Sequence, residues 1–248
     1  MEVSLYQAAA AMSATAQWQD LIAENLSASS VPGSRKQEIA FTDVQAGVSA
    51  NQSGSPGSNY SLTTAKKVTN FQPGELHATG NPMDFALEGP GFFAIKTSTG
   101  QTGYTRDGEF QLNASGQLVD KQGDLVLGNG GPLQFQASNP GTITVSANGD
   151  VAQGDLIIGK LKTYEFKNPD QLTMTGSGIF TASGTEAGPA AASSTKVRQG
   201  FLESANASPT TQMASLITAM RLFEANQKVL QMQGDRMSKV ISDLGGTA

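Results

Sequence analysis

The feature that most constrains this 248-residue chain is a run of apolar residues near its C-terminus, spaced three and four apart. From Met213 the steps pass through Leu216, Met220, Phe223, Gln227, Leu230, Gly234, Met237, Ile241 and Leu244, and eight of these ten positions are apolar. Spacing held over this length predicts a long helix with a narrow coiled-coil seam, not the broader stripe of a helix resting on a globular core. Ser208 can cap the helix, Pro209 suits its first position and Gly245-Gly246 stops it. A helix over about 209–244 is roughly 53 Å long, more than a small domain can cover.

A second line of the same kind opens the chain. Leu5, Ala9, Met12, Ala16, Ala23 and Leu26 share one face, with Gln19 as its polar member and Trp18, Leu21 and Ile22 beside it. The alanines raise helix propensity and let a partner backbone approach closely. Ser29-Ser30 and Pro32-Gly33 then end the helix. Periodicity leaves two readings open. The helices pair within one molecule, or their seams meet other copies. Their places at opposite chain ends, and the greater length of the C-terminal seam, favour other copies, because an exposed apolar seam invites association.

Between the ends, residues 34–71 read as an extended arm, since Ala46 to Ser61 is rich in Gly, Ser, Asn and Gln and carries too little apolar weight to fold alone. Residues 72–198 read as strands and turns. Gly89-Pro90-Gly91 separates Phe85–Leu87 from Phe92–Ile95, Asp107-Gly108 suggests a hairpin between Tyr104–Arg106 and Glu109–Leu112, and Asn113–Gly116 suggests another turn. Asn148-Gly149 predicts a further hairpin, Leu156–Phe166 is the longest strand run, and Thr181 to Ser194 reads as an exposed loop. The expected fold class is α+β: terminal helices over 1–33 and 199–248 forming a coiled-coil-like inner domain, with an all-β, Gly-rich central domain.

Composition removes most catalytic classes. With one histidine and no cysteine, Cys-His and zinc constellations are excluded by count. His77, just before a turn, reads as an exposed loop side chain. Gly128-Asn129-Gly130-Gly131-Pro132 lacks the Lys-Ser/Thr of a phosphate-binding loop and reads as a tight turn. The acidic residues from Asp84 to Asp124 lack the spacing of a calcium hand. No enzyme activity, cofactor or metal is expected. Scattered basic residues and a net charge of −5 give no footprint for nucleic acid. No apolar run reaches the ~18 residues of a membrane span, and Met1–Leu5 lacks the basic and apolar regions of a cleaved signal.

One stretch is more specific. Thr79-Gly80-Asn81-Pro82-Met83-Asp84-Phe85-Ala86-Leu87-Glu88-Gly89-Pro90-Gly91-Phe92-Phe93 closely resembles the signature of flagellar rod and hook proteins. It is followed by Tyr104-Thr105-Arg106-Asp107-Gly108-Glu109-Phe110-Gln111-Leu112-Asn113 and by Gly116–Val119. Ile22–Ala28 with Pro32-Gly33, Gln199–Asn206 and Phe223–Lys228 are similar to further family motifs in the family's order. Ser34, where an aromatic is usual, and Ala205-Asn206-Ala207 depart from the pattern.

The resemblance implies a subunit of the flagellar basal-body rod, closer in length to the proximal-rod than to the distal-rod members. It implies export without a cleaved signal by the flagellar type III apparatus, a place in the periplasm-crossing shaft, and terminal helices that line the tube. Implied partners are copies of the same chain, neighbouring rod proteins, the export apparatus and the surrounding ring proteins. The assembly residues expected are Leu5, Met12, Ile22, Leu26, Leu216, Met220, Phe223, Leu230, Met237 and Ile241. A β-rich surface adhesin is the alternative from outside the family.

Overall fold

In a computed structural model of the chain, the described residues are 2–47, 59–136, 141–176, 178–182 and 187–245. They divide into two compact units. One comprises residues 1–26, 37–68 and 209–248, the other 27–36 and 69–208.

The first unit holds two helices, α1 (Glu2–Ala28) and α2 (Pro209–Gly245), and two long strands, β1 (Gln37–Gly47) and β2 (Asn59–Thr69), that pair with each other. Both helices begin and end close to the positions expected from capping and breaker residues. The arm is different. It is extended, but over 37–47 and 59–69 it forms a two-stranded ribbon, because pairing satisfies the backbone without needing an apolar core and residues such as Ile39, Val44, Tyr60 and Val68 suit strands. Most of the Gly- and Ser-rich tip, residues 48–58, lies outside the described residues.

A hydrogen bond from Asn226 Nδ2 to Thr15 Oγ1 at 3.3 Å fixes the helix pair. Asn206 N donates to Ser34 O, so the chain just after α1 adjoins the chain just before α2. Thr15 and Asn226 both lie about twenty residues from that junction, and the helices are therefore antiparallel. Shifting seven residues along each helix sets Ile22 opposite Ala219, and both are fully buried. The intramolecular pairing that periodicity had left open is thus present.

The second unit is β-rich. Its main sheet runs, strand beside strand, Leu172–Met174, Ile179–Ala182, Thr102–Thr105, Phe92–Lys96, Leu125–Gly128, Leu118–Val119 and Gln111–Leu112. Phe92–Lys96 lies at its centre and is buried on both faces. Phe93 and Ile95 join one apolar cluster with Phe85, Phe110, Leu118 and Val126, while Phe92 joins another with Tyr104, Leu172 and Phe180. Alternation along one strand therefore supplies both cores.

Several turns differ from expectation. Asp107-Gly108 does not close a hairpin. Thr102–Thr105 pairs with Phe92–Lys96 and Ile179–Ala182, whereas Gln111–Leu112 pairs with Leu118–Val119. A Cβ on Gly108 would lie 1.6 Å from Phe85 O, so this glycine is there for close backbone approach. Gly89-Pro90-Gly91 links strands that belong to different sheets, since Phe85–Glu88 pairs with Lys196–Gln199. His77 is exposed but sits in strand Leu76–Ala78, opposite Leu202, not in a loop. Within 181–194, Pro189–Ala191 pairs with Thr163–Phe166 and Ala187 is fully buried. The Asn113–Gly116, Asn148-Gly149 and Gly128–Gly131 turns connect paired strands as expected.

Candidate assembly interface

The covered face of α2 is not the whole of the apolar seam. Its buried or half-buried positions are Gln212, Ser215, Leu216, Ala219, Phe223, Asn226, Leu230 and Gln233. Apart from Ser215 they also step by three and four, and they share Leu216, Phe223 and Leu230 with the expected seam. The other half of that seam is exposed: Met213, Met220 and Met237 are 54%, 52% and 44% accessible. The covered stripe is rotated because small and polar residues, Ala219 and Asn226 above all, are turned inward, where Asn226 reaches Thr15 and Ala219 is fully buried. On α1, Ile22 is buried and Met12 and Leu26 are half-buried. The side chains of Leu5 and Ile241 lie outside the described residues.

Side-chain amides lie where α1 ends and where α2 begins. Asn25, near the end of α1, donates from Nδ2 to Gln37 O at 2.7 Å and accepts from Gln37 N at 2.8 Å, pairing with the first residue of β1 as a strand would. Asn206, just ahead of α2, accepts from Lys36 N and donates to Asn70 O and Gln72 O. One amide therefore ties together three separate passages of the chain.

Beside Asn206 lies a buried ionic cluster. Glu203, 1% exposed, pairs with Arg35 Nη1 at 2.7 Å and Arg106 Nη1 at 3.0 Å. Arg106 also donates to the Leu87 and Gly89 carbonyls and lies over the Phe92 ring. Burial lowers the Arg106 pKa to about 10, with Glu203 acting against the shift and Arg35 adding to it, so the guanidinium stays charged near neutrality. Two cations share one carboxylate. Gly33 N donates to Glu203 O beside this cluster, and a Cβ on Gly33 would meet the Arg106 backbone at 2.3 Å. Nothing but glycine fits there.

The motif residues are architectural. Gly80 takes a positive φ of 71°. Asn81 donates to Asp84 Oδ1 and accepts from Met83 N, closing the turn that contains Pro82. Gly89 and Gly91 pass against Thr195, leaving no room for a Cβ. Phe92, Phe93, Tyr104 and Phe110 are core, and Thr105 and Arg106 are buried polar residues with internal hydrogen bonds. Arg35 went unmarked in the sequence. Its only signal was a charged residue two positions after a chain-breaking Pro-Gly in a chain with few charges. Among the described residues no group of three or more His, Asp or Glu side chains is placed to hold a metal ion, and no helix is long and apolar enough to cross a membrane.

Two family models match the chain: flagellar hook protein FlgE/F/G D1 domain over residues 86–153, and flagellar basal body rod FlgEFG protein C-terminal over residues 198–244. The chain is 31% identical over 246 residues to flagellar basal-body rod protein FlgF of Mesorhizobium japonicum, with 99% of each chain covered. It is 31% identical over 256 residues to the FlgF of Escherichia coli, covering 96% of this chain and 97% of that one. Identity to flagellar basal-body rod protein FlgG of Borreliella burgdorferi is also 31%, over 264 residues, with 97% of this chain and 98% of that one covered.

Proposed function

This chain belongs to the flagellar basal-body rod proteins and is a structural subunit of that rod, and we propose that it occupies the proximal part and is built in through its terminal helices. The carrying observation is that similarity to FlgF relatives runs through both ends of the chain, where α2 presents exposed apolar side chains. The family is structural, and its membership places the chain in the flagellar basal body.

In the proposed assembly the helix pairs stand side by side in the wall of a hollow shaft across the periplasm. Aligned helices resist bending and twisting, which is what transmission of torque demands. Copies of the chain and neighbouring rod proteins are its partners in the wall, with the surrounding ring proteins outside. Delivery is through the flagellar type III export apparatus without a cleaved signal. Deletion of the chain should leave cells non-motile with basal bodies truncated at the proximal rod, and re-expression should restore both. Basal bodies of full rod length in the deletion strain would overturn the proximal placement.

A further inference from the structure

Around the axis of α2 six of the exposed apolar side chains fall on two flanks, one on each side of the face paired with α1, while Met237 is in line with that face near the end of the helix and Met232 lies opposite it. At about 100° per residue, Met213, Ile217 and Met220 lie roughly 80–140° to one side of the covered stripe, and Leu222, Val229 and Val240 roughly 80–100° to the other. Arg221, Lys228 and Lys239 occupy the back of the helix, about 160–180° from the stripe, with Met232 beside them and Ile217 at their edge. The apolar arc is thus far wider than the ~100° that one partner covers. α1 takes the middle, and each flank is left for a separate neighbour.

The flanks also sit at different heights. The first is centred near residue 217 and the second near residue 230, a separation of about 20 Å at 1.5 Å per residue. Two unlike apolar patches on opposite sides of one helix cannot both be satisfied by a two-fold contact of either patch with itself. They are satisfied when every copy sets its first flank against the second flank of the next, which is a head-to-tail contact. We infer that neighbouring copies of this chain pack the Met213–Met220 flank of one α2 against the Leu222–Val240 flank of the next, with the helices parallel and displaced by about 20 Å along their axis. The occupant of each flank is a second copy because an assembly of like subunits supplies the complementary flank on every neighbour. A displacement of this size makes the contact climb, so it propagates as a screw and does not close as a flat ring. The inference rests on the reading of the chain as a self-assembling rod subunit.

The absence of native cysteine makes the test direct. Full-length Ile217→Cys, Val229→Cys and the double variant replace the chain in cells lacking their own copy, and purified basal bodies are oxidised. In the double variant, Cys at 217 of one copy meets Cys at 229 of the next, so non-reducing gels should show a ladder of linked chains. Each single variant should give at least about tenfold less linked product. The two positions within one helix are about 18 Å apart, too far for an internal disulfide. Dimers from either single variant at a yield matching the double variant's, or no ladder from the double variant while the reduced chain is present in the basal bodies, would overturn the offset pairing and leave the rod assignment intact. Absence of the reduced wild-type chain from purified basal bodies would overturn both.

Discussion

In the β-rich unit Phe93, Ile95, Val126 and Phe180 have no exposed surface, whereas α2 leaves Met213, Ile217, Met220 and Met232 each more than half exposed. The β-rich unit closes its apolar clusters within one chain and even buries two arginines around a carboxylate. The helical unit pairs its helices along one stripe and leaves the rest of α2 uncovered. One region is finished by folding; the other, in the assembly proposed above, is finished by its neighbours. Stability and function are consequently separable along the sequence, and a change in one region should leave the other's readout nearly untouched.

Phe223→Asp should break this contrast most sharply. A charge on the covered stripe of α2 is expected to abolish motility and incorporation into basal bodies, while the thermal transition of the β unit stays within about 2 °C of wild type. Normal motility would show that the stripe is dispensable. Glu203→Ala acts on the other side. It leaves Arg35 and Arg106 buried without a counter-charge and should cost the β unit about 3–5 kcal/mol in denaturant unfolding. A loss below 1 kcal/mol would mean that the cluster is not what holds residues 33–36 in place.

Limited proteolysis of dilute protein sharpens the boundary. Cleavage is expected within residues 1–26 and beyond 209, with a resistant fragment that retains 27–36 because Arg35 and Gly33 are tied to Glu203. Protected termini in the free chain would contradict the comparison.

The smallest effect is electrostatic. Burial raises the Asp107 pKa from 3.8 to about 6, against a hydrogen bond from Glu109 N that favours the charged form. The fold therefore prefers the protonated acid, and this contribution is present below the unfolded pKa and lost as pH rises through about 6. Asp107→Asn should raise stability at pH 7 by about 1 kcal/mol and have little effect at pH 4. Equal effects at both pH values would remove ionisation as the cause.

Much of this organisation was legible in the residues. Pro209 and Gly245 bracket α2, Pro32-Gly33 ends α1, and Asn148-Gly149 and Asn113–Gly116 mark true hairpins, because each is a local backbone requirement that a few residues satisfy. The family motif was legible for a related reason: Gly89, Gly91 and Gly108 stand where chains pass too closely for a Cβ. What stayed hidden depends on distant partners. The Asp107-Gly108 step has hairpin composition, yet tertiary contact with Phe85 sets its role. The seam of α2 gave the helix and three of its covered residues, Leu216, Phe223 and Leu230. It could not give the rotation toward Ala219 and Asn226, which follows from the contact of Asn226 with Thr15 on α1. The Arg35–Glu203–Arg106 cluster joins residues far apart in sequence, beyond the reach of any period or spacing. The ribbon of β1 and β2 was masked by a polar composition that says nothing about backbone pairing.

The amide of Asn206 carries a consequence for the lifetime of the protein. It donates to two carbonyl oxygens and accepts from one peptide N–H, and only a neutral amide can do both. Slow hydrolysis to aspartate, a common chemical ageing of asparagine, would turn those two donated bonds into facing oxygens. Loss of that nitrogen would therefore loosen all three passages of chain that the side chain now joins.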